Sequence, residues 1–201
     1  MHLPIDFYFD FSSPYGYLAS EKIEALAAKH DRAVNWRPVL LGVIFKQTGA
    51  APLTQIPLKG DYSRRDMERS ARFHGVAGFR MPSKFPIPSQ AAARIVLWAQ
   101  QRDAVLAAQI VHALYRAFFV EDRDISDPDT AVAVAATCGV DAALARAAID
   151  DPAIKDALKR ANEDAIAKGV FGSPFIVVDG EPFWGLDRLD QVERWLATGG
   201  W

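Results

Sequence analysis

A serine followed by a proline, Ser13-Pro14, stands where the pattern of the chain changes from strand to helix. Serine is a preferred N-cap, and proline suits the first helical position because its missing N–H would be unpaired there anyway. The start of a helix presents free N–H groups and a partial positive charge, and Ser13 adds a hydroxyl beside them. Groups of this kind can stabilise an anion. On this stretch alone, the simpler interpretation is that Ser13 only caps the helix.

The segments around Ser13 form a predicted βαβ unit. Residues 5–11 alternate between apolar and polar side chains, which predicts a half-buried strand. Residues 15–26 carry apolar side chains at helical spacing, and residues 33–41 predict a second strand. Pro38 places the end of that strand at a sheet edge or bulge. The connection between two such strands is almost always right-handed.

The middle of the chain is predicted to be helical. Turn residues cluster over 49–57, a highly charged helix covers 61–74, and the prolines of 81–88 demand an extended loop. Nucleic-acid binding by the basic helix is an alternative, but acidic residues among its arginines favour a solvated face. Further helices are predicted near residues 90–101, 104–119, 128–137, 141–148 and 152–168.

The end of the chain returns to β structure. Residues 175–178 form a continuous apolar run, Asp179-Gly180 predicts a hairpin, and Asp187 opens a last helix. The chain therefore reads as βαβ, an all-helical block and ββα. We predict one sheet domain, residues 1–48 and 169–201, with an inserted helical domain of residues 49–168.

Bulk properties exclude several classes of protein. The net charge of −2 over 201 residues argues against a dedicated nucleic-acid or membrane-surface protein. No apolar run reaches the roughly 20 residues that span a bilayer, and no signal peptide is visible, so a cytoplasmic protein is expected. The single cysteine, Cys138, excludes an internal disulfide and is interpreted as a core thiol rather than a nucleophile.

The motifs at the two ends of the chain resemble one family. Residues 6–18 (Asp6-Phe7-Tyr8-Phe9-Asp10-Phe11 through Ser13-Pro14-Tyr15 to Tyr17-Leu18), Val170-Phe171-Gly172-x-Pro174 and Trp184-Gly185-x-Asp187-Arg188-Leu189 resemble the 2-hydroxychromene-2-carboxylate isomerases. These enzymes are relatives of the kappa-class glutathione transferases. The resemblance implies an α/β thioredoxin-like fold of the disulfide-oxidoreductase branch, with the helical insertion between its βαβ and ββα halves. It also implies a homodimer.

The resemblance implies that glutathione is the cofactor and that Ser13 attends its thiol. A free thiol has a pKa of about 8.5, so lowering it by about two units requires roughly 2.7 kcal/mol. A helix N-terminus supplies about 0.3–1 kcal/mol and a hydrogen bond to a charged group about 1.5–3 kcal/mol. The hydroxyl and the helix end together can therefore suffice, and with these motifs a catalytic Ser13 is favoured over a simple cap.

The same resemblance assigns the other glutathione contacts. In the thioredoxin fold, the proline that corresponds to Pro174 is cis, and the preceding residue, here Ser173, presents its backbone to the thiol substrate. The segment Trp184, Gly185, Leu186 and Asp187 matches the family's glutathione segment. Asp187 is suited to accept from the γ-glutamyl ammonium, although it could equally be a plain N-cap.

The residues expected to contact the second substrate match the family poorly. The isomerase lysine falls on or beside Phe45, and Lys46 replaces it only with a shift of one residue. The polar residues of the isomerase pattern meet Leu53-Thr54 and Pro88-Ser89 here. Phe45, Lys46 and Ser89 are the predicted substrate contacts, and the pattern predicts a less polar substrate than the hydroxychromene acid.

These features lead to three hypotheses of function. The first is a glutathione-dependent cis–trans isomerase that acts on an intermediate of aromatic catabolism. The second is a kappa-like transferase that joins glutathione to an electrophile. The third is a thioredoxin-fold module that binds a peptide or thiol without catalysis. Turnover of a chromene acid or an electrophile separates the first two, and glutathione affinity without turnover favours the third.

Overall fold

Four strands form a mixed sheet in the order β2-β1-β3-β4 in a computed structural model that describes residues 3–201. The first two residues of the predicted 1–48 segment lie outside the described residues. The strands are β1 (Ile5–Phe9), β2 (Val34–Pro38), β3 (Phe175–Val178) and β4 (Glu181–Trp184). β1 pairs in parallel with β2 and antiparallel with β3, and β3 pairs antiparallel with β4. This is the expected joining of a βαβ half and a ββα half in one sheet.

The predicted helices form in the predicted order, and one further helix that the sequence analysis missed lies at residues 41–48. They are α1 (Pro14–Ala28), α2 (Leu41–Thr48), α3 (Lys59–Phe73), α4 (Gln90–Gln100), α5 (Ala104–Phe119), α6 (Pro128–Ala136), α7 (Ala142–Asp150), α8 (Pro152–Ala167) and α9 (Leu189–Thr198). Aspartates cap α5, α6, α7 and α8, as their positions before the first helical residue predict. None of the helices among residues 3–201 is long and apolar enough to cross a membrane.

The predicted second strand, residues 33–41, is too long. It ends at Pro38, which stands on an edge strand, and α2 begins at Leu41. No capping side chain near Leu40 marks the start of this helix. Instead the backbone N–H of Leu41 donates to Asp10 Oδ2 over 2.6 Å. Asp10, which directly follows β1, therefore takes the place of a local cap.

The prediction of a half-buried first strand is also wrong, because both faces of β1 are covered. Phe7 and Phe9 pack into the larger core, whereas Tyr8 packs on the other side against Val39 and Phe175. Tyr8 and Asp10 are each only 3% exposed. A strand with neighbours on both sides of the sheet buries its polar-face residues too.

The turn between β3 and β4 agrees with the sequence. Asp179 and Gly180 both have positive φ, 52° and 93°, as a two-residue hairpin turn requires. At the other end of β4, Asp187 does not cap α9: it lies in a short 3₁₀ turn, Leu186–Arg188, and Arg188 precedes the first residue of the helix.

The larger core joins the sheet to the inserted helices. It contains side chains of β1 and α1 together with those of α4, α5, α6 and α7, and the partly buried Cys138 packs against it. The division into residues 1–48 with 169–201 and residues 49–168 stays a prediction, since a shared core does not mark a boundary.

Candidate functional site

The hydroxyl of Ser13 lies between the start of α1 and the loop before β3. Its oxygen accepts the N–H of Gly16 over 3.0 Å, so Ser13 does cap the helix. Its proton is donated to the carbonyl oxygen of Ser173 over 2.8 Å. Ser13 is 4% exposed, and the capping role and the second contact coexist on one oxygen. The hydroxyl has only one proton that it can donate to a ligand, and in this structure it donates that proton to the Ser173 carbonyl.

The carboxylate of Asp10 contacts residues at the starts of three helices, α1, α2 and α4. This carboxylate accepts from the N–H of Ser12, the N–H of Leu41 and the hydroxyl of Ser89, over 2.8, 2.6 and 2.6 Å. The backbone N–H of Asp10 donates to Ser173 Oγ over 3.1 Å. Burial raises the pKa of Asp10, and these hydrogen bonds oppose that shift. Asp10 thus fixes the position of the loops on either side of Ser13, a role the sequence interpretation missed.

The peptide bond between Ser173 and Pro174 is cis, as the resemblance predicts. The loop before it packs tightly against β4: a Cβ on Gly172 would lie 2.3 Å from Trp184 Nε1. A larger residue there would have to displace the Trp184 ring. The ring of Phe171 meets that of Trp184 edge-on at 4.9 Å between centroids, and both side chains are largely exposed.

The segment Trp184, Gly185, Leu186 and Asp187 runs alongside this loop. The N–H of Gly185 donates to the carbonyl of Pro174 over 3.1 Å, which holds the two segments together. Gly185 has φ of 113°, which disfavours any other residue. The side chain of Asp187 is 73% exposed and pairs with Arg188 over 2.9 Å, so its carboxylate is accessible to a ligand.

These segments border a cleft of about 1510 Å³ between the sheet and the helical insertion. Ser13, Ser173, Pro174, Trp184, Gly185, Leu186, Asp187 and Phe45 all line it, as the predicted roles require. The cleft exceeds the roughly 300–1,000 Å³ that is typical for a small ligand. It can therefore hold a tripeptide and a second molecule together.

Lys46 and Ser89 are not among the lining residues. Lys46 is exposed on α2, one position past Phe45, and a shift of one residue turns a helical side chain by about 100°. Ser89 is buried, and its hydroxyl is used by Asp10 instead of capping α4. Their roles in substrate binding stay predictions that this arrangement does not support.

The lining of the cleft contains a polar contact that the sequence did not reveal. Tyr15 donates its hydroxyl proton to Asp66 Oδ2 over 2.7 Å, and Arg69 also pairs with this carboxylate. Burial and the Asp66 carboxylate raise the pKa of Tyr15, so the phenol stays protonated. Burial raises the pKa of Asp66, but the bonds from Tyr15 and Arg69 outweigh it and the net pKa is lowered. Asp66 is therefore a carboxylate in the cleft wall.

Comparison with known proteins agrees with this geometry. The family described as the DSBA-like thioredoxin domain matches residues 4–197. The chain belongs to this family. It is 31% identical to a 2-hydroxychromene-2-carboxylate isomerase of Sphingobium xenophagum over 96% of this chain and 97% of the relative. It is 27% identical to glutathione S-transferase kappa 2 of Caenorhabditis elegans over 96% of this chain and 91% of the relative.

Comparison with solved structures shows that this chain has the same fold as a named relative. A structure of 2-hydroxychromene-2-carboxylate isomerase superimposes with a TM-score of 0.86 at 25% identity, covering 98% of this chain and 94% of the other. The resemblance drawn from the terminal motifs and the thioredoxin-like fold are thereby confirmed. The helical insertion is part of the shared fold, because the match covers nearly the whole chain.

Proposed function

We propose that this protein is a glutathione-dependent enzyme that isomerises a conjugated double bond. When bound, glutathione supplies a thiolate that adds reversibly to such a bond and permits rotation about it. The observation that carries the proposal is the position of Ser13 Oγ, which joins the N-terminus of α1 to the carbonyl of the cis-proline loop. Relatives named as an isomerase and as a kappa-class transferase support glutathione chemistry.

The residues present fit glutathione. The carbonyl of Ser173 accepts the hydroxyl proton of Ser13, and a peptide N–H of a ligand can donate to this carbonyl in its place. The released Ser13 hydroxyl can then turn toward a sulfur anion while its oxygen still caps α1 at Gly16. Asp187, which also lines the cleft, offers an exposed carboxylate for an ammonium group. Ser13 therefore holds the thiolate, and the cis-proline loop orients the peptide that carries it.

A kappa-like transferase is the second candidate. It is favoured by the 27% identity to glutathione S-transferase kappa 2 and by the absence of Lys46 from the residues that line the cleft. The chain's own residues would act identically on the thiol in both reactions. The two functions differ in whether the product leaves free of glutathione.

One substrate tests both candidates. The cis isomer of benzylideneacetone is incubated with protein and glutathione, and chromatography separates the trans isomer from the conjugate. We expect trans product to form faster than in the protein-free reaction, with the glutathione concentration unchanged. Accumulating conjugate would favour the transferase, and S-methylglutathione, which lacks the thiol, should support neither reaction. Calorimetric binding of glutathione without any turnover would favour a non-catalytic binding module.

A further inference from the structure

Acidic side chains outnumber basic ones among the described residues that line the cleft. Asp66 and Asp187 line it together with the buried Asp10, whereas Arg188 is the one lysine or arginine among the described lining residues. Arg188 is paired over 2.9 Å with Asp187, which belongs to the segment assigned to glutathione. The rest of the lining, outside the segments assigned to glutathione, is called here the wall for the second substrate. Among residues 3–201 it contains no unpaired arginine or lysine.

Histidine does not supply the missing cation. His74 lines the same wall, but burial and the nearby Lys22 lower its pKa, with Asp190 opposing them. The charged form of the ring is therefore disfavoured. A carboxylate placed against this wall would lose water without gaining an opposite charge, which is strongly unfavourable.

Asp66 and its partner Arg69 also offer an anion no unpaired positive charge, because the guanidinium of Arg69 is already paired with the Asp66 carboxylate. Asp66 stands on α3, and the bond from Tyr15 joins it to the residue two positions after Ser13. Tyr15 already donates its proton to Asp66, so that hydroxyl is not free to neutralise a substrate anion. The neighbouring wall is apolar, formed by Phe45, Leu53 and Ile87 among others.

We infer that the second substrate presents an uncharged aromatic or aliphatic group to this wall, because the described lining residues offer an anion no unpaired cation. This inference rests on the proposed function, since it concerns the electrophile that meets the thiolate. It separates this protein's substrate class from aromatic acids.

A matched pair of electrophiles tests the inference. Benzylideneacetone with a para-carboxamide and with a para-carboxylate differ in charge at a position remote from the reacting carbon. Each enzymatic rate is divided by the rate of the same compound with glutathione alone, which removes the difference in intrinsic reactivity. We expect kcat/KM to favour the carboxamide by at least about tenfold. Equal values would overturn the inference while leaving glutathione-dependent catalysis intact.

A binding measurement keeps the test independent of turnover. The saturated benzylacetones with the same two para groups cannot react, so calorimetry reports their affinity for the protein in the presence of S-methylglutathione. The carboxamide should bind and the carboxylate should bind at least about tenfold more weakly. If neither benzylideneacetone is turned over but this difference appears, the proposed function fails and the selectivity stands. Equally tight carboxylate binding refutes the selectivity in either case.

Three substitutions test which residues cause the selectivity against a carboxylate. Asp66→Asn keeps an acceptor for Tyr15 but leaves Arg69 without its ion-pair partner, so it should improve carboxylate affinity by about threefold to tenfold, with little change for the carboxamide. Asp61→Asn removes an exposed carboxylate from the first turn of the same helix and should change neither affinity. If Lys46→Met weakens carboxylate binding, that lysine reaches the ligand and the inference is wrong. Should Asp66→Asn fail to fold, the wild-type ratio still decides.

Discussion

Replacing Ser13 by alanine removes both hydrogen bonds of its hydroxyl, and each loss has a typical cost. Loss of the cap at Gly16 costs about 1 kcal/mol, and loss of the bond to the Ser173 carbonyl costs about 0.5–1.5 kcal/mol. The free energy of unfolding should therefore fall by about 2 kcal/mol. A domain of this size is expected to stay folded after such a loss.

The substitution also raises the pKa of the thiol of bound glutathione, and this change affects turnover more than the loss of stability does. A hydrogen bond to an anion contributes about 1.5–3 kcal/mol, so its removal raises the pKa of the bound thiol by about 1–2 units. The N-terminus of α1 remains and supplies about 0.3–1 kcal/mol. Turnover at neutral pH should drop at least about tenfold and recover partly as the pH rises and the thiol ionises.

Two measurements on the same samples check this reasoning. Ultraviolet absorbance of the thiolate, followed against pH, gives the pKa of bound glutathione, and urea denaturation gives the free energy of unfolding. Ser20→Ala is the matched control, because Ser20 is buried on the same helix and donates to the Tyr17 carbonyl over 2.7 Å, away from the cleft. An unchanged thiol pKa in Ser13→Ala, with activity lost at every pH, would refute the thiolate role and leave a structural one.

Three further predictions concern other parts of the molecule. Asp187→Asn should weaken glutathione binding by about twofold to fivefold in calorimetry, because the carboxylate is 73% exposed and screened, whereas Asp190→Asn should not. Gly172→Ala should destabilise the protein by about 1–3 kcal/mol in urea denaturation, since the new Cβ would displace Trp184; an unchanged midpoint would contradict the packing. Burial lowers the pKa of His112, but the carboxylates of Glu21 and Glu24 on α1, which accept from the imidazole, outweigh it and the folded pKa is raised. Its stabilising contribution is complete below the unfolded pKa of about 6.5 and disappears as pH rises through the folded pKa, so His112→Gln should cost more stability at about pH 5 than at about pH 9.

Local patterns determined most of the secondary structure. Helices α6 and α8 begin where an aspartate cap and a proline predict, and the Asp179-Gly180 hairpin forms where two positive φ angles are needed. These signals act over a few residues, so the sequence contains them completely. The terminal motifs likewise predicted Ser13 and the glutathione segment, all of which line the cleft.

The failures occur where the deciding partner is distant in sequence. α2 begins without a local cap because Asp10, 31 residues earlier, accepts the N–H of Leu41. Ser89 looked available to a substrate, but its hydroxyl is used by Asp10, 79 residues away. No local pattern reports either contact.

The sequence by itself determined the order of elements, the serine at the start of α1 and the loop that faces it. Tertiary structure alone decided that Ser13 donates to Ser173, 160 residues away, and that Asp66 stands beside Tyr15, 51 residues away. The physical reason is that caps and turns are fixed by backbone geometry over one helical turn, whereas the charge of a cleft depends on which distant side chains the packed core brings together.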